Sequence, residues 1–211
     1  MTEVVFILDR SGSMEGLEKD TIGGFNSMLE KQRNKEGDVF VTTVLFDHKV
    51  ETIHDRLAIA EIPNLTEKEY FVRGCTALLD AVGETIEHIK NIHKYARNED
   101  VPAKTLFIIT TDGMENASQK FSYKKVKEMI EHQKEHHNWE FMFLGANIDA
   151  IGEAAQLGIE EEMAANYVCD KEGTTLNFEA LSDAIGVVRA CGSLKSSNLK
   201  EKIDADFEKR G

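Results

Sequence analysis

Three short apolar runs organise the chain: Val4-Val5-Phe6-Ile7-Leu8, Leu106-Phe107-Ile108-Ile109 and Phe141-Met142-Phe143-Leu144. None alternates with polar residues and each is rich in β-branched or aromatic side chains, which suits strands covered on both faces. A stretch with helical period follows each run. Ile22, Phe25 and Leu29 share one face after the first, and Leu78, Leu79, Val82, Ile86, Ile89 and His93 share one between about Ala77 and Arg97. Val126, Met129, Ile130 and Gln133 mark a third helix, and Phe178, Leu181, Ile185 and Val188 a fourth that Gly192 would cap. Gly23-Gly24 weaken the first helix by roughly 1 kcal/mol each, so their presence points to close backbone packing. The β-prone runs Val39–Phe46 and Val50–Ile53 are separated only by Asp47-His48-Lys49. So short a polar turn predicts a hairpin and one antiparallel strand.

The alternation predicts an α/β fold: a doubly wound, mostly parallel central sheet with one antiparallel edge strand and helices on both faces. A length of 211 residues suits one domain, assigned to residues 1–192, and two prolines argue against linkers. Residues 193–211 are polar and read as a C-terminal tail or a terminal helix.

A formal charge of −13 at pH 7 changes the list of partners. Phosphate backbones and anionic lipid repel such a surface, so nucleic acid and membrane are not expected partners. The apolar runs are far too short for a bilayer span, and Asp9-Arg10 interrupts the first before it could serve as a signal peptide. The three cysteines, Cys75, Cys169 and Cys191, have no C-x-x-C spacing. An odd count of that kind predicts unpaired thiols in a reducing, cytoplasmic compartment, as small buried or half-buried residues.

In open α/β sheets the functional crevice lies beyond the carboxyl ends of the strands. Three stretches bring oxygen-bearing side chains there: Asp9-Arg10-Ser11-Gly12-Ser13, Gly74-Cys75-Thr76 and Thr111-Asp112-Gly113. Two carboxylates and three hydroxyls, without histidine or thiolate, suit Mg²⁺, Mn²⁺ or Ca²⁺ rather than zinc or copper. Mg²⁺ keeps water readily, so such a site leaves a position for an incoming anion. Nothing in the set supplies a free general base.

The run from Val5 to Met14, with Gly74-Cys75-Thr76-Ala77-Leu78 and Thr111-Asp112-Gly113, resembles a von Willebrand factor type A domain. The matching pattern is its metal-ion-dependent adhesion site: Asp-x-Ser-x-Ser, a distant Thr and a distant Asp. The resemblance runs from Thr2 to about Cys191 and implies a Rossmann-like fold. It also implies that Ser11, Ser13 and Thr76 bind Mg²⁺ through hydroxyls, with Asp9 and Asp112 binding directly or through water. A partner protein's Asp or Glu would complete the coordination, in a binding module without catalysis of its own. An ATPase or a multiprotein assembly is the partner that family analogy suggests. Cys75 stands where many relatives carry a second glycine before the Thr.

Competing readings rest on fewer residues. Asp9 could open a haloacid-dehalogenase-like phosphohydrolase as nucleophile, but Ser11 stands where the second Asp belongs and Lys104 precedes its strand. Asp9–Gly16 lacks the G-x-G-x-x-G of a dinucleotide site. His132-Gln133-Lys134-Glu135-His136 matches the inverted zinc-protease motif, yet reads as a charged helix end. Glu115 and Asn116, beside Asp112, read as solvated loop residues.

Overall fold

The computed structural model describes residues Met1–Gly211, the Ser196 side chain excepted. Six strands form one sheet: β1 (Thr2–Asp9), β2 (Val39–Phe46), β3 (Val50–Ala58), β4 (Lys104–Thr111), β5 (Trp139–Gly145) and β6 (Ala164–Asn166). Their order is β3-β2-β1-β4-β5-β6, with every pair parallel except β2 and β3. The helices are α1 (Glu18–Arg33), α2 (Leu78–Tyr95), α3 (Tyr123–His137), α4 (Ala150–Gln156), α5 (Lys171–Cys191) and α6 (Leu199–Arg210).

The unbroken apolar runs become strands with two cores. Val4, Phe6 and Leu8 point to one face, where α1 and α5 bring Phe25, Leu29, Phe178 and Leu181. Val5 and Ile7 point to the other, covered by Val82, Ile86, Val126 and Ile130 of α2 and α3. Edge strand β3 has only one buried residue, His54, and its ladder with β2 slips between Val41 and Val44.

Gly24 explains half of the glycine pair: a Cβ there would run into the Phe178 ring, whereas one on Gly23 would meet nothing. Gly192 closes α5 in the left-handed conformation at φ 75°. The short elements β6 and α4 carry no apolar run long enough to announce them. Beyond α5, Leu194, Leu199 and Ile203 are buried against the α1/α5 face. The Lys200 ammonium donates to the Ala164 carbonyl at 2.8 Å, so α6 covers the open edge of β6. All three cysteines are free, but Cys75 and Cys191 are exposed, so only Cys169 meets the expectation of burial. No helix among the described residues is long and apolar enough to cross a membrane.

Candidate functional site

Strands β1 and β4 are neighbours in register, with Leu8 beside Thr110, so their carboxyl ends deliver Asp9 and Asp112 to one crevice. The loops there are stitched by backbone. Gly12 N–H donates to the Gly74 carbonyl at 3.1 Å, Arg73 N–H to Arg10 at 2.9 Å, and Asn116 N–H to Thr76 at 3.0 Å. The buried Tyr70 hydroxyl donates to the Asp9 carbonyl at 2.6 Å. The five residues singled out in the sequence come together.

Their oxygens form a row. Thr76 Oγ1 donates to Ser11 Oγ at 3.0 Å, Ser11 Oγ lies 3.0 Å from Ser13 Oγ, and Ser13 Oγ donates to Asp112 Oδ1. Asp9 flanks the row with both oxygens engaged: Oδ1 accepts from Ser11 N–H at 2.7 Å and Oδ2 from Thr111 Oγ1 at 2.6 Å. Asp9, Ser11, Thr76 and Asp112 are buried, and Ser13 opens the row to solvent. Gly113 is the backbone beside it. A Cβ there would come within 3.0 Å of both Ser13 Oγ and Thr76 Oγ1, so the cradle depends on glycine.

Burial pushes the Asp9 carboxyl up to about 6, against the hydrogen bonds from Thr111 and Ser11 that favour its charge. Asp112 is raised for the same first reason, with Ser13 and Cys169 opposing. Two desolvated carboxylates without a cationic side chain, three hydroxyls and a Cβ-free cradle fit a divalent cation with oxygen ligands. Among the described residues no three His, Cys, Asp or Glu side chains gather for a metal. The row would hold one through hydroxyls as much as through carboxylates.

Several neighbours carried no sequence signal. Arg10, between two site residues, is 1% exposed; its Nε donates to Asp47 at 3.0 Å and its guanidinium also reaches the Glu69 carbonyl and Glu51. Arg73 Nε joins Asp47 at 2.8 Å. Glu115 and Asn116 are loop residues as expected, Glu115 half-buried and Asn116 exposed, but both also hold the site's backbone. Asn116 Oδ1 accepts from Thr76 N–H at 2.9 Å, and Glu115 Oε2 accepts from Leu79 N–H at 2.9 Å in the first turn of α2. Their polar spacing looks like any loop, because the partners lie on α2 and its leading loop. Cys169 Sγ stands 3.8 Å from Asp112 Oδ2.

The rival residues are elsewhere. Lys104 opens β4 at the opposite end of the sheet, 3.2 Å from Glu140, so it cannot serve a phosphate beside Asp9. His132 and His136 are exposed on α3 with their rings stacked at 4.4 Å, and His136 Nδ1 lies against the His132 carbonyl at 3.0 Å.

No known protein family's sequence pattern matches the chain, nor does any curated protein. Solved structures do match in fold. The von Willebrand factor domain of the type V pili tip protein Mfa5 from Porphyromonas gingivalis is 12% identical, with a TM-score of 0.62 over 89% of this chain and 96% of that one. Proximal thread matrix protein 1 from the mussel byssus, in a structure with a zinc-occupied metal-ion-dependent adhesion site, is 13% identical with a TM-score of 0.57. A von Willebrand factor type A protein from Catenulispora acidiphila is 14% identical with a TM-score of 0.56. The chain spans under half the length of these last two, at 44% and 42%.

Proposed function

On the von Willebrand factor type A fold that this chain has, we propose a metal-dependent protein-binding module. Ser11, Ser13 and Thr76 offer hydroxyls to the ion. Asp112 offers the carboxylate that already faces the row, and Asp9, with both oxygens engaged, acts through water. The ion supplies the Lewis-acid position at which a partner protein's Asp or Glu binds. The observation that carries this reading is the continuous oxygen row from Thr76 through Ser11 and Ser13 to Asp112, flanked by buried carboxylates with no cation of their own. Pilus and byssus proteins among the fold's neighbours support protein partnering as the use of such a site.

Mg²⁺ suits the hard donor set, with Mn²⁺ and Ca²⁺ as substitutes. The zinc-occupied neighbour makes zinc the competitor to test. We place the module in the cytoplasm on the odd, unspaced cysteine count, over residues 1–192 with residues 193–211 appended. The position of Lys104 argues against the phosphohydrolase reading, in which Asp9 would be the nucleophile.

Thermal unfolding in millimolar Mg²⁺ and in EDTA tests the proposal. An ion at a hundred times its dissociation constant adds about 2.7 kcal/mol. The gain should appear in the wild type and shrink in Thr76→Ala and Asp112→Ala. An equal gain in all three, or none with Mg²⁺, Mn²⁺, Ca²⁺ or Zn²⁺, would overturn it.

A further inference from the structure

One motif of the chain has no part in the oxygen row: the H-x-x-E-H run from His132 to His136 on α3. Residues four apart rise from one helix face, so the two imidazoles are neighbours. Their rings stack with centroids 4.4 Å apart and planes 25° from parallel. Zn–N bonds of about 2.0–2.1 Å need two ring nitrogens within about 4 Å of each other, which rings so placed reach by small rotations. Both side chains are exposed, so no packing resists that rotation.

A second, independent observation concerns the ring proton. His136 Nδ1 stands 3.0 Å from the His132 carbonyl oxygen. A carbonyl only accepts, so Nδ1 carries the hydrogen and, in the neutral ring, Nε2 keeps its lone pair. A ring N–H given to a backbone carbonyl is the arrangement that fixes the tautomer of a metal-ligating histidine. Lys134, between the two histidines in sequence, is spent on the Gly158 carbonyl at 2.9 Å and on Glu160 at 2.6 Å. A net charge of −13 draws cations to an exposed pair of this kind. His137 lies edge-on to His132 at 5.7 Å, and among the described residues no third His, Cys, Asp or Glu gathers with the pair.

We propose that His132 and His136 form a second metal site, a two-imidazole clamp for a borderline transition ion: Zn²⁺, Ni²⁺ or Cu²⁺. Water fills the other positions on the ion. Imidazole suits these ions, whereas hydroxyl and carboxylate oxygens suit Mg²⁺ and Ca²⁺, so the clamp and the oxygen row divide divalent ions by ligand type. Two protein ligands on an open surface make a site that exchanges its ion with solvent. The clamp needs nothing from the oxygen row and stands whether or not that row takes a metal.

The untagged chain and its Asp112→Ala variant are titrated with Ni²⁺ by calorimetry, in millimolar Mg²⁺ at about pH 7.5, where an ordinary imidazole is neutral. Each should bind one equivalent with a midpoint at or below about 100 μM. His132→Gln and His136→Gln replace exposed side chains, so both fold, and each should weaken binding at least about tenfold. His137→Gln leaves the pair intact and should change binding less than about threefold. Zn²⁺, which is diamagnetic, should move the imidazole ¹⁵N resonances of His132 and His136 together, with the His136 change at Nε2. A midpoint above about 100 μM, an effect from only one of the two variants, as large a loss in His137→Gln, or binding that disappears in Asp112→Ala would each overturn the assignment.

Discussion

Two sets of buried carboxylates lie side by side at the carboxyl end of the sheet, and they are treated in opposite ways. Asp47, after β2, is fully buried but flanked by two cations, Arg10 at 3.0 Å and Arg73 at 2.8 Å, with the His48 imidazole at 2.9 Å. Burial pushes its pKa up, yet Arg73, the Lys49 N–H and Arg10 outweigh that and hold it below the ordinary value. Asp9 and Asp112 are as little exposed, with only hydroxyls, backbone N–H groups and the Cys169 thiol for company, and their pKa values rise. The chain thus has the means to neutralise a buried carboxylate one residue away from Asp9 and applies it to Asp47. The difference separates one structural carboxylate, Asp47, from the pair that the proposed ion would neutralise.

The largest expected effect comes from removing the cation of the satisfied set. Arg10→Ala strands Asp47 and should cost about 3–5 kcal/mol in urea unfolding, as broken buried pairs do. A loss below about 1 kcal/mol would show Arg73 and His48 to be sufficient alone.

Next in size is the pH response of the unsatisfied set. The folded Asp9 pKa, about 6, exceeds its unfolded value of 3.8. At pH 7 both states are ionised and the folded one bears the full burial cost. As pH falls through 6 the folded state takes up the proton first, so in EDTA stability should rise by about 2–3 kcal/mol down to pH 4. Asp47 has the opposite sign: its contribution is complete above its unfolded pKa and lost as pH falls through the lower folded value. With saturating Mg²⁺ the rise should vanish, because the ion competes with the proton. A flat EDTA profile between pH 7 and pH 4 would break the contrast.

Gly113→Ala probes the cradle without touching a charge. The added methyl meets Ser13 Oγ and Thr76 Oγ1, so calorimetric Mg²⁺ affinity should drop about tenfold, near 1.4 kcal/mol, with little change in metal-free stability. Asn116→Ala is smaller: losing the bond to Thr76 N–H should cost about 1 kcal/mol of stability, checked by thermal unfolding.

The central strands and the main helices were legible because both cores print their period directly on the sequence. The oxygen row was legible because its spacing lies within short loops at strand ends. Arg10 was not: its partners Asp47 and Glu51 lie in the β2–β3 turn and at the start of β3, and only the β1/β2 and β2/β3 registers bring them beside it. Asn116 escaped for the same reason, since holding Thr76 is a relation between two loops. Strand β6, Ala164-Ala165-Asn166, has no run to detect and exists through pairing with β5. Exposure of Cys75 and Cys191 was missed because cysteine chemistry, unlike an apolar period, carries no directional signal.

The ring of Phe178 over Gly24 fixes more than the spacing of α1 and α5. One turn away on α5 stand Thr174 and Ser182, and Ser182 is itself held by Gln32 of α1, whose Nε2 donates to its carbonyl at 2.6 Å and to its hydroxyl at 3.0 Å. Sliding α5 by about 5.4 Å would put a small side chain over the glycine hollow and leave the ring nowhere to sit. The helix is therefore pinned in one register, by a ring seated in a hollow and a polar clasp one turn along.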